Sequence, residues 1–242
     1  MKLLAAIIAL LALAVTPALA ADYETTEKTP LVELHLRAPA GAMAIASLKQ
    51  QILALYTSDA DQAKTDAKED KDGNPSFHPY SIDTTWRVTF ENESVISLSA
   101  EIIADAGGAH PNQGFATIVW DKKAGRAVPI EALFAPDQVK PALQAIADAA
   151  AKAWTRIYTQ RAGQKPGPDT DLATAGIGAD PEKLKTYALI YAKGQTSANG
   201  ILLLFGAGEV WPNVLGDFRL AVPAGVFAKY LAPRWKQVFI AG

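Results

Sequence analysis

Residues 102–134 read IIADAGGAHPNQGFATIVWDKKAGRAVPIEALF, and several structural signals lie close together in this stretch. An apolar segment leads into GGAHPN, and a second apolar segment follows at 115–120. A polar turn at 122–125 then precedes a further short apolar segment. Two apolar runs joined by Gly, Pro and Asn predict a pair of antiparallel strands, and the second turn predicts another hairpin.

The N-terminal side of this stretch predicts one strand, one helix and two further strands. The segment LVELHLR at 31–37 alternates apolar and polar residues, which is the period of a half-buried strand. After Pro39, apolar residues at spacings of three and four predict a helix that ends near Tyr56. The polar segment 58–79 predicts a long loop or mobile flap. Strands are then predicted at 84–90 and 95–103.

The C-terminal side contains the longest helical pattern of the chain, from Asp137 to Ala162. A loop rich in Gly, Pro and Asp is predicted over 163–181. Strands are predicted at 187–192, 201–205 and 218–222, and a short final helix at 226–231. Because strands and helices do not alternate strictly, the sequence predicts an α+β fold. It would have a mostly antiparallel sheet of about eight strands, with two or three helices packed on it.

The composition is that of a globular protein. The chain has 242 residues, of which 50% are hydrophobic and 20% charged, and this balance is too apolar for a disordered chain. The formal net charge of −2 argues against a nucleic-acid binder, since such proteins usually carry a basic face. The absence of cysteine excludes disulfides and a thiolate nucleophile. Four tryptophans are predicted to be buried: Trp86, Trp120, Trp154 and Trp235.

The first 20 residues, MKLLAAIIALLALAVTPALA, have the pattern of a cleavable signal peptide. Lys2 provides a positive start, an apolar run follows, and Ala18-Leu19-Ala20 fits a signal peptidase site. The alternative is a membrane anchor, but the apolar run is shorter than the ~20 residues that a bilayer span needs. We therefore expect a periplasmic or secreted protein that begins at Ala21 and has no membrane span after cleavage.

The common catalytic and metal motifs are absent. The chain has no G-x-S-x-G, no phosphate-binding loop and no H-E-x-x-H, and its three histidines, His35, His78 and His110, are far apart in sequence. A partial calcium-loop pattern at 68–79 has Lys68 and Pro79 where Asp and Glu are required. The sequence thus predicts no catalytic residue, no metal site and no cofactor, and whether the protein is an enzyme stays open.

A second distinctive segment, GILLLFGAGEVWPNVLGDFRLAVPAGVF, occupies residues 200–227. Glycine allows a close backbone approach, His110 is extended because Pro111 follows it, and asparagine closes turns. Tryptophan on a loop can stack on a sugar or anchor a protein partner. The simpler alternative is that these are structural turns and a hydrophobic plug. The candidate binding residues are Gly107, Gly108, His110, Asn112, Trp211 and Asn213.

The two segments together resemble a bacterial extracytoplasmic family of unknown function, the RsiV-like and PdaC-associated domains. This family occurs beside polysaccharide deacetylases and in a lysozyme-sensing anti-sigma factor. The resemblance implies an N-terminal PdaC-associated α+β segment at 21–105 and a C-terminal RsiV-like α+β domain at 106–242. Gly208 stands where the family has a tyrosine. The deacetylase metal motifs have no counterpart, so the resemblance does not carry deacetylase activity to this chain.

Three functions follow from these observations as hypotheses. The first is a non-catalytic periplasmic module that binds a cell-envelope component, either a peptidoglycan fragment or a lysozyme-like protein. The second is an enzyme acting on envelope glycans, a hydrolase or a deacetylase-like enzyme, with His110 as an acid or base. The third is a structural or assembly partner of another envelope protein. The sequence leaves the oligomeric state open.

Overall fold

The computed structural model describes residues 21–167, 176–192, 194–210 and 215–239. Within these residues the chain forms nine strands in two sheets and three α-helices, with short 3₁₀ turns between them. The predicted α+β class with mostly antiparallel pairing is confirmed. The predicted signal peptide at 1–20 lies outside the described residues.

The larger sheet has six strands in sequence order. They are β1 (Tyr23–Lys28), β2 (Val32–Ala38), β3 (Tyr80–Glu91), β4 (Val95–Asp105), β5 (Asn112–Asp121) and β6 (Arg126–Ala127). All neighbours are antiparallel except β2 and β3, which are parallel. A parallel pair needs a long crossover, and here α1 (Ala40–Met43) and α2 (Ala46–Gly73) provide it. Strand β1 was not predicted from the sequence.

The prediction that helix α2 ends near Tyr56 is wrong, and so is most of the predicted loop at 58–79. The helix continues through this polar stretch to Gly73. Ala60, Ala63 and Ala67 form a narrow buried stripe at helical spacing, and it packs on Leu34 and other apolar residues of the sheet. Alanine is a strong helix former, but its side chain offers little apolar surface. The polar residues around the stripe therefore dominate the sequence pattern, and that pattern predicts a loop.

The two faces of the large sheet carry different neighbours. Ile82 and Trp86 of β3 are buried in the clusters under α2. The register of β3 against β4 shifts between Val88 and Phe90, and Phe90 lies in the core on the opposite face. A bulge of this kind inserts one residue and reverses the direction of the side chains that follow. One strand therefore contributes to both cores.

The smaller sheet is antiparallel and contains β7 (Tyr187–Ile190), β8 (Gly200–Phe205) and β9 (Phe218–Pro223). Helix α3 (Val139–Ala162) packs on it, and its C-cap Gly163 has a positive φ of 70° that ends the helix. The prediction of a short final α-helix at 226–231 is wrong. That segment forms 3₁₀ turns at Ala224–Val226 and Ala228–Tyr230. Part of the predicted loop at 163–181, residues 168–175, lies outside the described residues.

The predicted burial of the four tryptophans is confirmed: Trp86, Trp120, Trp154 and Trp235 are at most 3% exposed. Strands β4 and β5 pair with each other across the predicted domain boundary at 105/106. The division into 21–105 and 106–242 stays a prediction. None of the helices in the described part of the chain combines the length and the apolar character that a membrane span requires.

Ser97 of β4 joins the two sheets through its buried side chain. Its hydroxyl oxygen accepts a hydrogen bond from the backbone N–H of Leu189 in β7 at 2.9 Å. The Thr89 hydroxyl at the bulge donates to the same oxygen, also at 2.9 Å. The edge of the smaller sheet is thus held to the face of the larger one by a side chain.

Replacing Ser97 with alanine is expected to lower the free energy of unfolding by about 1–3 kcal/mol, because the buried N–H of Leu189 loses its acceptor. Chemical denaturation measures the change. Ser99, two residues along β4 and partly exposed, is the matched control, and Ser99→Ala should change stability by less than about 0.5 kcal/mol. Equal losses in both variants would contradict the role of Ser97.

Candidate functional site: an acidic cleft

The structure brings the two distinctive sequence segments together. The turn between β4 and β5 carries GGAHPN, and the segment after β8 carries GAGEV. The backbone N–H of Ala207 donates to the carbonyl oxygen of Gln113 at 3.3 Å, which joins the second segment to the start of β5. Two segments that lie far apart in sequence therefore form one end of the molecule.

Gly206 makes this contact possible. A Cβ at this position would lie 2.8 Å from the carbonyl oxygen of Gln113, closer than side-chain carbons approach other heavy atoms. It would also lie 3.2 Å from a carboxylate oxygen of Glu209. Only glycine fits this close passage between two backbones. Glu209 is thereby placed beside the start of β5.

A cleft of about 450 Å³ opens at this end, between helix α2 and the large sheet. Ile82, Ile102, Ala104 and Gly114 supply its apolar part. Four carboxylates line it and no basic side chain does: Asp59, Asp66, Asp105 and Glu209. Gln62, Asn112 and Gln113 add amide groups, and Tyr80 adds a phenol. The cleft thus combines an apolar floor with a negative rim.

Two groups that line the cleft have raised pKa values, and desolvation is the main cause for both. Partial burial raises the pKa of Asp59 above its usual range. Desolvation, followed by the charges of Asp70 and Asp66, raises the pKa of Tyr80. Gln62 donates to a carboxylate oxygen of Asp66 at 2.7 Å. A positive group entering the cleft would favour the charged form of the carboxylates that it meets.

The residues predicted from sequence divide into three groups. Asn112 begins β5 and lines the cleft. Gly107 and Gly108 lie on the exposed hairpin turn next to it, and Gly107 has a φ of +78° with its N–H bonded to the Asp105 carboxylate. His110 lies on the same exposed turn. Trp211 and Asn213 lie outside the described residues.

His110 has one hydrogen-bond partner in the described residues, the carbonyl oxygen of Pro111, 3.3 Å from its Nδ1. A histidine that acts as a general base is normally oriented by a carboxylate or another fixed acceptor. The described residues provide no carboxylate bonded to its ring. They also contain no group of three or more His, Cys, Asp or Glu side chains placed to hold a metal ion.

Sequence reasoning missed a cluster that borders the cleft. The Arg219 guanidinium of β9 lies over the Phe115 ring, with 4.9 Å between its Cζ and the ring centroid. The Glu101 carboxylate accepts from Gln113 and lies 3.5 Å from the same guanidinium. Phe115 and Gln113 also line the cleft, so Arg219 ties the smaller sheet to its wall. Residues 219 and 101 are too far apart in sequence for any local pattern to connect them.

Comparisons with known proteins agree with the predicted resemblance. Residues 25–113 match the family model described as Deacetylase PdaC. A DUF3298 family member from Bacteroides fragilis aligns with a TM-score of 0.56 and 12% identity over 88% of this chain and 92% of its own. A DUF3298 family protein from Pseudomonas aeruginosa PAO1 gives 0.54 and 12% over 92% and 95%. No curated protein sequence matches.

The resemblance to a PdaC-related domain of unknown function is confirmed, with the family match lying over the N-terminal part of the chain. At 12% identity the two solved structures show a shared fold alone. The match at 25–113 ends at the first residues of β5, so it covers α2 and most of the sheet residues that line the cleft.

Proposed function

We propose that this protein is a non-catalytic binding module of the bacterial cell envelope, and that its acidic cleft takes up a cationic group of its partner. The observation that carries the proposal is the cleft itself, with four carboxylates, no basic side chain and both distinctive segments at its border. The periplasm is the proposed compartment, on the grounds of the N-terminal sequence pattern.

The charge of the cleft supports one of the two partner classes expected from the sequence. A lysozyme-like protein is basic and can insert lysine or arginine side chains, which bury their aliphatic stems while their charged ends meet carboxylates. The apolar floor with its acidic rim is suited to such a side chain. A peptidoglycan fragment would need a free amine to use the same groups. We therefore favour the basic protein.

Binding of hen lysozyme to the purified protein, followed by interferometry at two salt concentrations, tests the proposal. We expect saturable binding that persists at the higher salt, since contacts inside a cleft are screened less than contacts between exposed charges. Glu209→Gln removes one carboxylate from the cleft and leaves the size of the side chain almost unchanged. We expect this variant to bind lysozyme about three- to tenfold more weakly, with a larger dissociation rate.

Glu93 supplies the matched control. It lies exposed in the turn between β3 and β4, at the opposite end of the sheet from the cleft. Glu93→Gln changes the net charge by the same amount and should leave lysozyme affinity within about twofold. Equal weakening in both variants would show a general charge attraction, and absence of saturable binding would refute the lysozyme-like partner.

The hydrolase and deacetylase-like alternatives make a different prediction. If His110 carried out acid–base chemistry, His110→Ala would abolish glycan turnover while thermal unfolding stayed unchanged. If the residue only shapes the turn, any activity would survive the change. The exposed position of His110 and its single backbone partner give the binding proposal the stronger support.

A further inference from the structure

A second groove lies on helix α3, away from the residues that line the acidic cleft. It measures about 760 Å³ and is lined by Lys152, Thr155, Arg156, Thr159, Gln160, Lys165 and Pro166. The chain turns at Gly163, the left-handed C-cap, and Lys165 and Pro166 then form the second side of the groove with the last turns of the helix. Three cations therefore surround one depression on an acidic protein.

The three cations have no acidic partner in the described residues. None of Lys152, Arg156 and Lys165 forms an ion pair with a described residue, whereas Lys28, Lys64, Lys122, Arg219 and Arg234 do. Asp148, one turn before Lys152, instead accepts a hydrogen bond from Gln144. Within the part of the chain that the structure describes, no carboxylate neutralises these three cations.

The remaining lining groups are suited to an anion with an organic body. The hydroxyls of Thr155 and Thr159 already donate to backbone carbonyls one turn earlier, at 2.9 and 2.8 Å. Their methyl groups, the Pro166 ring and the aliphatic stems of the cations remain as apolar surface. A guanidinium can bind two oxygens of one phosphate in a fixed geometry, and the two ammonium groups add point charges.

The charge of the whole chain favours a small ligand over a surface. An anionic bilayer would have to approach a protein whose formal net charge is −2, while about three basic groups provide only about 1 kcal/mol each at such a surface. A small ligand meets only the local positive field of the groove. Short-range attraction inside a groove also survives physiological salt better than attraction to a distant surface.

We propose that the groove on α3 binds a small phosphorylated organic ligand, such as a sugar phosphate, with its phosphate on Lys152, Arg156 and Lys165 and its body against Pro166 and the threonine methyl groups. This site does not depend on the acidic cleft or on its partner. Its ligand has the opposite charge, so the two proposals can fail separately.

Isothermal titration of the purified protein with glucose 1-phosphate tests the site, with glucose and inorganic phosphate as separate probes. We expect saturable binding of glucose 1-phosphate, no binding of glucose, and weaker binding of inorganic phosphate. Arg156→Gln should reduce the affinity by about tenfold or more, because a charged, bidentate contact is lost. Lysozyme binding by the same variant should be unchanged, which separates this site from the cleft.

Lys140→Gln is the matched control, since Lys140 is exposed on the same helix and outside the groove. It should leave the affinity within about twofold. The proposal is overturned if glucose 1-phosphate does not bind, if glucose or inorganic phosphate binds equally well, or if Lys140→Gln weakens binding as much as Arg156→Gln. It is also overturned if phosphatidylglycerol vesicles bind through Arg156 while the sugar phosphate does not.

Discussion

Replacing Trp154 with alanine is expected to lower the free energy of unfolding by about 3–5 kcal/mol. Trp154 lies in the middle of α3 and has no exposed surface. Its ring centroid is 5.2 Å from that of Tyr158 and 6.1 Å from that of Phe218 in β9. The substitution would leave a cavity between the helix and the smaller sheet, because neighbouring side chains collapse only partly into such a space.

Chemical denaturation monitored by circular dichroism measures this effect. Trp154→Phe is the control, since it keeps an aromatic ring against Phe218 and should retain a large part of the stability. A loss below about 1.5 kcal/mol for Trp154→Ala would mean that α3 and the smaller sheet do not share the tightly packed core described above.

Replacing Asp121 with alanine is expected to reduce stability by about 2 kcal/mol at neutral pH. The Asp121 side chain is 5% exposed and accepts hydrogen bonds from the backbone N–H groups of Lys123 and Ala124 and from the Arg234 guanidinium. It therefore closes the turn between β5 and β6 and anchors the C-terminal segment to that turn.

The contribution of Asp121 depends on pH in a defined direction. Burial raises its pKa, but the Ala124 N–H, the Arg234 guanidinium and the Lys123 N–H together outweigh burial and hold the pKa below the ordinary value of 3.8. A lowered pKa in the folded state means that the stabilisation is complete above the unfolded pKa and is lost as pH falls through the folded pKa.

Comparing wild type with Asp121→Asn in urea denaturation across pH tests this sign. The gap in stability should be constant from neutral pH down to about pH 5 and should close at more acid pH. Arg234→Gln should remove part of the same gap, because it removes one of the three groups that favour the carboxylate. A gap that widens towards acid pH would contradict the account.

The hairpin of β4 and β5 could be predicted from sequence because its signals are local. Alternating apolar residues define the strands, and glycine, proline and asparagine define the turn between them. The same reasoning placed Gly107 and Asn112 between the two strands; the structure has Gly107 in that turn, whereas Asn112 is already the first residue of β5. Neither the hairpin nor the position of its turn depends on a contact with a distant part of the chain.

The cleft could not be predicted because each of its walls depends on distant packing. The second half of α2 packs on the sheet through the alanine stripe, and alanines alone do not give a clear apolar pattern in the sequence. Arg219 reaches Glu101 from another sheet. In each case the tertiary contact, and not the local residue preference, determines the position of the side chain.

The most direct test of the acidic cleft is zero-length carbodiimide cross-linking with lysozyme, followed by mass spectrometry. This reagent joins carboxylates to amines in contact, so it reports which acidic side chains meet the partner's lysines. We predict that Asp66, Asp105 and Glu209 form cross-links and that Glu93, which is exposed, does not. Cross-links at Glu93 and other outlying carboxylates, with none in the cleft, would contradict the proposal that this cleft receives the cationic partner.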